Sequence, residues 1–72
     1  MKDREILKCV EELNELSTIL IQQYNKPKKN FEKEIIEEIG DVYVWLNKLR
    51  NHYGKGDVKE RIEYKKEKHN LK

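Results

Sequence analysis

A chain of 72 residues forms at most one domain, and folding hides only about 60% of the surface that such a short unfolded chain exposes. Charged residues make up 42% of the sequence, but the formal net charge is only +2, so no overall field attracts nucleic acid. The single cysteine, Cys9, excludes an intrachain disulfide. Extra stability must therefore come from a metal ion, a partner chain or both.

No stretch of the sequence reaches the roughly 20 apolar residues of a membrane-spanning helix. The first five residues lead directly into an amphipathic pattern, whereas a signal peptide would continue into an apolar core. We therefore expect a cytoplasmic protein without a membrane partner. Cationic residues concentrate near the C-terminus, where residues 54–72 contain seven basic and four acidic side chains, against nine and ten in residues 1–53.

Apolar residues that recur every three or four positions predict two long helices, over residues 3–24 and 31–53. Asp3 and Asn30 are the candidate N-caps, and Pro27 lies in the break between the two helices.

A short third helix is predicted over residues 58–69, after Gly54 and Gly56 end the second and Asp57 provides a cap. It offers only a few apolar positions, namely Val58, Ile62, Tyr64 and Leu71.

The short loop between the long helices predicts an antiparallel hairpin. On the second helix, Ile36 and Tyr43 widen the apolar stripe beyond what one neighbouring helix can cover. The whole chain, residues 1–72, is thus predicted to be one all-α domain. In it, a helical hairpin and a short third helix assemble with other copies into an oligomeric helix bundle.

Acidic residues occupy unexpected positions on these two helices. At about 100° per residue, Glu12 falls at the edge of the apolar stripe, and Glu38 falls between Trp45 and Leu49. Each is followed three residues later by another acid, Glu15 and Asp41 respectively.

A carboxylate withdrawn from water without a partner costs several kcal/mol, so something must compensate for its charge. Four oxygen donors without histidine or cysteine suit Mg²⁺, with Mn²⁺ as the second choice. The alternative is structural: Glu12 and Glu38 pair with lysines such as Lys8 or Lys48, or reach water at the margin of the stripe.

Two motifs resemble those of the MazG-type nucleotide pyrophosphohydrolases. Residues 11–16, Glu-Glu-Leu-Asn-Glu-Leu, are similar to the E-E-x-x-E half of the family pattern, and residues 37–42, Glu-Glu-Ile-Gly-Asp-Val, contain its E-x-x-D half. The two halves occur in order on successive predicted helices. The resemblance covers residues 7–49 well and residues 64–66 more loosely.

The resemblance implies a Mg²⁺-dependent enzyme, built as a bundle of two or more chains, that cleaves a nucleoside triphosphate between its α and β phosphates. Monophosphate and pyrophosphate would be the products. By this resemblance, Glu12, Glu15, Glu38 and Asp41 are the metal ligands, and Glu11 orients water or a ligand.

The chain is shorter than the longer members of the family that it resembles, so walls of the substrate site are expected from partner chains. Lys65 and Arg61 are candidate anchors for the polyphosphate, with solvated tail charges as the alternative. Trp45 is a candidate for stacking on the base, with core packing as the alternative.

One alternative is a non-catalytic helical module that dimerises and touches an acidic partner with its basic tail. A nucleic-acid binder is not expected, because the basic tail lacks an aromatic platform and a helix-turn-helix.

Overall fold

A computed structural model describes residues 1–70 as three α-helices joined by short connections. Helix α1 spans Asp3–Asn25, α2 spans Glu32–Tyr53 and α3 spans Lys55–Lys68. This confirms the predicted all-α fold, and no strand occurs within the described range. None of the described helices is long and apolar enough to cross a membrane. Leu71, predicted as an apolar position near the third helix, lies outside the described residues.

Helices α1 and α2 pack against each other as the predicted hairpin. Gln23 fixes the turn between them through three hydrogen bonds. Its side-chain N–H group donates to the carbonyl oxygens of Lys26 at 3.4 Å and Lys29 at 2.7 Å, and its side-chain oxygen accepts from the backbone N–H of Phe31 at 3.0 Å. These bonds satisfy loop groups that no helix can pair, and so they set where α2 begins.

The first two helix starts lie close to the predicted positions. Asp3 is the first residue of α1 and not its cap, because Lys2 holds the extended backbone that precedes the helix. Asn30 lies one residue before the N-cap of α2, which is Phe31, but its side chain accepts a hydrogen bond from the backbone N–H of Glu32 at 2.9 Å.

The third helix begins earlier than predicted, at Lys55, so that Asp57 lies in its first turn and does not cap it. Gly54 alone makes the break. Its φ of 137° is a conformation that residues with a Cβ atom rarely adopt. The chain needs only this one residue to change direction, and Gly56 joins the helix.

The three helices form a flat and open arrangement of 41 × 35 × 15 Å. The radius of gyration is 14.6 Å, against about 11 Å for a compact chain of this length. The accessible surface of 6350 Å² exceeds by roughly 1,600 Å² that of a compact protein of 8.8 kDa. Among the described residues, only Cys9, Glu12 and Val42 are buried.

One side of the hairpin is apolar and uncovered. At about 100° per residue, most of the exposed apolar side chains of α1 and α2 project to one side of the seam between the helices, and Glu12 and Glu38 lie toward the other. We call this surface the apolar face. Its residues, each at least 40% exposed, are Val10, Leu13, Leu20 and Tyr24 of α1 with Ile36, Ile39, Tyr43 and Leu46 of α2.

We expect the chain to self-associate through the apolar face. The excess accessible surface, roughly 1,600 Å² per chain, lies within the range of about 1,000–2,500 Å² that each subunit buries in an obligate dimer. Ile36→Glu would put a charge into this interface and should give a monomeric mass in light scattering at micromolar concentration. Val44→Glu is a matched control, because Val44 is 58% exposed against 60% for Ile36 but projects away from the apolar face. A monomeric wild type with intact helical circular dichroism would contradict the expectation.

Candidate metal centre

Carboxylates of both long helices meet at the seam between α1 and α2. Oxygen atoms of Glu12, Glu15 and Glu38 all lie within 4.8 Å of one another. Glu12 and Glu15 share one side of α1 because they are three residues apart, and Glu38 comes from the facing part of α2. The hairpin therefore brings together three of the four residues that the sequence predicts as metal ligands.

The other two predicted acids lie at the edge of this cluster. Asp41 is exposed and does not belong to the set of oxygens within 4.8 Å, although its negative charge acts on Glu38. Glu11 has a side chain 61% exposed, and its carboxylate contacts Lys8. Both side chains are exposed, whereas that of Glu12 is buried.

Glu12 is buried to an unusual degree for an acid, with 6% of its surface exposed. One carboxylate oxygen, Oε1, lies 3.4 Å from the ammonium of Lys8, whereas Oε2 is hidden from solvent without a hydrogen-bond partner. Oε2 of Glu38 is also hidden and unpartnered within the described part of the chain. An unsatisfied buried polar atom costs about 1–3 kcal/mol, and more when charged. A cation bound among these carboxylates would reduce this penalty.

Like charges surround Glu38. Burial first, then the negative charge of Glu15 and a side-chain hydrogen bond with Glu15, raise the pKa of the Glu38 carboxyl above its ordinary value of 4.5, and the charges of Glu12 and Asp41 add to this effect. No ammonium or guanidinium group offsets these charges at Glu38 within the described residues. The pKa of Lys8 is raised, first by its hydrogen bond to Glu11 and then by that to Glu12.

The alternative interpretation, in which lysines pair with Glu12 and Glu38, explains only part of this arrangement. Glu12 does pair with Lys8, as that alternative predicts. Lys48 does not pair with Glu38, and its ammonium lies 4.6 Å from the centroid of the Trp45 ring. Lysines thus account for one oxygen of Glu12 and leave Glu38 without a counter-ion. The cation also covers one face of the Trp45 ring, the predicted base-stacking residue.

The predicted polyphosphate anchors of α3 lie away from the carboxylates within one chain. Among the described helices, no Cα atom of α3 comes within 8 Å of α1. The groove between α2 and α3 is lined by Tyr43, Leu46 and Arg50, which project from a different side of α2 than Glu38 does. The guanidinium of Arg61 lies over the Tyr64 ring, 4.7 Å from its centroid.

Lys65, the other predicted anchor, is an exposed residue of α3 without an ion pair among the described residues.

A groove of about 370 Å³ continues from the carboxylates toward the hairpin loop. Besides Glu15 and Glu38, it is lined by Asn14, Thr18 and Glu34, with Ile19 as its apolar wall. The two sequence motifs do not include Asn14 as a ligand, and they do not point to Thr18 or Glu34. Helical spacing could have found two of them, because Thr18 follows Glu15 by three residues and Glu34 precedes Glu38 by four.

Comparison with models of known families, with characterised proteins and with solved structures finds no match to this chain. The site's own geometry and the two acidic motifs are therefore the basis for a functional proposal.

The raised pKa of Glu38 gives a testable pH dependence for the metal-free protein. Folding favours the protonated form of Glu38, so its ionisation destabilises the native state as pH rises. This effect should be absent below the ordinary pKa of 4.5 and complete above the raised value. The melting temperature of Glu38→Gln relative to wild type should therefore increase from acidic to neutral pH.

Glu37→Gln provides the control for that measurement, because it removes one negative charge from an exposed neighbouring position. It should show no comparable trend with pH. A Glu38→Gln protein that melts well below wild type at neutral pH without metal would show instead that a structural cation holds Glu38.

Proposed function

We propose that this chain is a Mg²⁺-dependent nucleotide pyrophosphohydrolase, which cleaves a nucleoside triphosphate between its α and β phosphates to release monophosphate and pyrophosphate. The observation that carries the proposal is the pair of buried, unpartnered carboxylate oxygens of Glu12 and Glu38, next to Glu15. The resemblance of residues 11–16 and 37–42 to the MazG-type motifs supports the choice of reaction.

The residues present suit a magnesium ion. Glu12, Glu15 and Glu38 offer only oxygen donors, which hard divalent cations prefer, and Mn²⁺ accepts the same donors. Asp41, three residues after Glu38 on α2, is the fourth candidate ligand. Magnesium held there would supply neutralisation of phosphate charge and activation of a water molecule.

A groove beside the carboxylates can hold part of the substrate. The groove that continues from the carboxylates has about 370 Å³ of space, which lies within the range of small-molecule sites, about 300–1,000 Å³. Its polar residues Asn14, Thr18 and Glu34 can exchange hydrogen bonds with a sugar or a base. We therefore place the nucleoside in this groove and the polyphosphate over the carboxylates.

The proposed enzyme works as a homo-oligomer. Pairing through the apolar face would leave the carboxylates on the open side of each hairpin, where substrate can reach them. Lys65 and Arg61 can act as polyphosphate anchors only when another copy supplies them, because α3 packs on the far side of its own α2.

A second candidate, a non-catalytic helical interaction module, is favoured by the size of the uncovered apolar face. Magnesium distinguishes the two. For the metal site, Mg²⁺ at 100 times its Kd should stabilise the wild type by about 2.7 kcal/mol. The melting temperature should rise accordingly, and Glu38→Gln should lose the rise. An equal response to Mg²⁺ and to K⁺ at matched ionic strength would favour the interaction module.

Hydrolysis itself is tested with a panel of canonical and modified nucleoside triphosphates and Mg²⁺, by following monophosphate and pyrophosphate. We expect wild type and Glu37→Gln to release both products from at least one triphosphate. Glu38→Gln should fall to the rate seen without Mg²⁺, because a neutral amide is a poor replacement for an anionic ligand. Release of orthophosphate instead of pyrophosphate, or equal rates in all three proteins, would contradict the proposal.

A further inference from the structure

Lys8 connects an exposed carboxylate to a buried one. It lies one helical turn before Glu12 on α1, with its ammonium 3.3 Å from Oε2 of Glu11 and 3.4 Å from Oε1 of Glu12. The side chains are 61% exposed at Glu11, 44% at Lys8 and 8% at Glu12. The three residues thus lead from solvent into the seam.

The two oxygens of Glu12 have different surroundings. Lys8 pairs with Oε1 alone, and Oε2 remains buried without a partner. One oxygen of the same carboxylate lies within 4.8 Å of oxygens of Glu15 and Glu38, and repulsion from those two carboxylates would favour a rotamer that turns Glu12 away from them. An ion pair to one oxygen restrains Glu12 against that rotation and leaves the other oxygen available to a cation.

We propose that Lys8 and Glu11 are positioning residues: Lys8 orients the Glu12 carboxylate for metal binding, and Glu11 holds Lys8 in place. This inference rests on the proposed function, because it takes Glu12 as a ligand. It gives Glu11 a role that acts through Lys8, whereas the family resemblance implies contact with water or a ligand. Partners of this kind fix the orientation of ligating groups in many metal sites.

The second helix provides a comparison. Glu37 precedes Glu38 as Glu11 precedes Glu12, but the residue three positions before Glu37 is Glu34, an acid, where α1 has Lys8. Glu37 is exposed and has no ion pair among the described residues. Removing its charge therefore reports only the general electrostatic effect of one acid near the site.

The direction in which Lys8→Met changes metal affinity shows whether Lys8 orients Glu12 or competes with the metal for it. If Lys8 only competed with the metal for Glu12, or only repelled it, Lys8→Met would tighten metal binding. If Lys8 orients Glu12, Lys8→Met weakens metal binding although a positive charge is lost. Loss of such a partner typically weakens metal affinity by about 10–100-fold.

The experiment measures Mn²⁺ affinity from the electron paramagnetic resonance signal of free Mn²⁺, without substrate. We expect Lys8→Met to weaken binding about tenfold or more. Lys8→Arg, which keeps a cation within reach of both carboxylates, should retain most of the affinity. Glu11→Gln should weaken binding more than Glu37→Gln does. Circular dichroism checks that each protein is folded, and Glu11→Gln changes a side chain that is 61% exposed.

A double-substitution cycle then tests whether Glu11 acts through Lys8. Adding Glu11→Gln to Lys8→Met should weaken Mn²⁺ binding no further, since the link is already broken. Tighter binding by Lys8→Met, or an undiminished effect of Glu11→Gln in that background, would overturn the inference. A wild type that binds no Mn²⁺ would refute the proposed function and this inference together. Normal binding by wild type and by every variant would refute only the inference.

Discussion

Repulsion among carboxylates held between two helices is the constraint on which this structure depends. Glu12 is almost fully buried, and Glu38 faces it across the seam with its pKa raised by burial and by neighbouring acids. Apolar packing in the seam is thin, since only Cys9 and Val42 are buried apolar residues in the described chain. The carboxylates therefore repel one another across the seam, and apolar contacts between the helices offset this repulsion only weakly.

Polar contacts at both ends of the hairpin help to hold the helices together despite the repulsion among the carboxylates. Near the loop, Gln23 binds three backbone groups and fixes the connection between the helices. Toward the other end, the Cys9 thiol donates to the carbonyl oxygen of Trp45 at 3.6 Å. Lys8 offsets part of the charge of Glu12. These contacts keep the carboxylates in place without neutralising all of them, which is the condition under which a cation can bind.

The acidic and the apolar surfaces lie on different sides of the hairpin. The carboxylates and their groove lie toward one side of the seam, and the apolar face lies on the other. A partner that covers the apolar face would provide the hydrophobic stabilisation that a short chain lacks, and it would leave the acids accessible on the other side. Assembly and chemistry can thus depend on different residues of the same two helices.

The paired acids of the first motif acquire a physical explanation from this geometry. Adjacent residues of an α-helix project about 100° apart, so Glu11 and Glu12 cannot both point into the seam. Glu12 turns inward and Glu11 outward, with Lys8 between their carboxylates. On α2 the corresponding Glu37 has no such lysine, so the two halves of the motif are alike in sequence but not in environment.

The sequence by itself determined the helices and the acid positions, because both depend on local spacing. Apolar residues at intervals of three and four and Gly54 as a break are local signals, and the wheel position of Glu12 follows from the same period. The predicted start of α3 is three residues late because Asp57 resembles a cap. Tertiary structure decided which oxygens of Glu12 and Glu38 lack partners and where α3 lies. Those outcomes depend on contacts between residues distant in sequence, which helical periodicity does not encode.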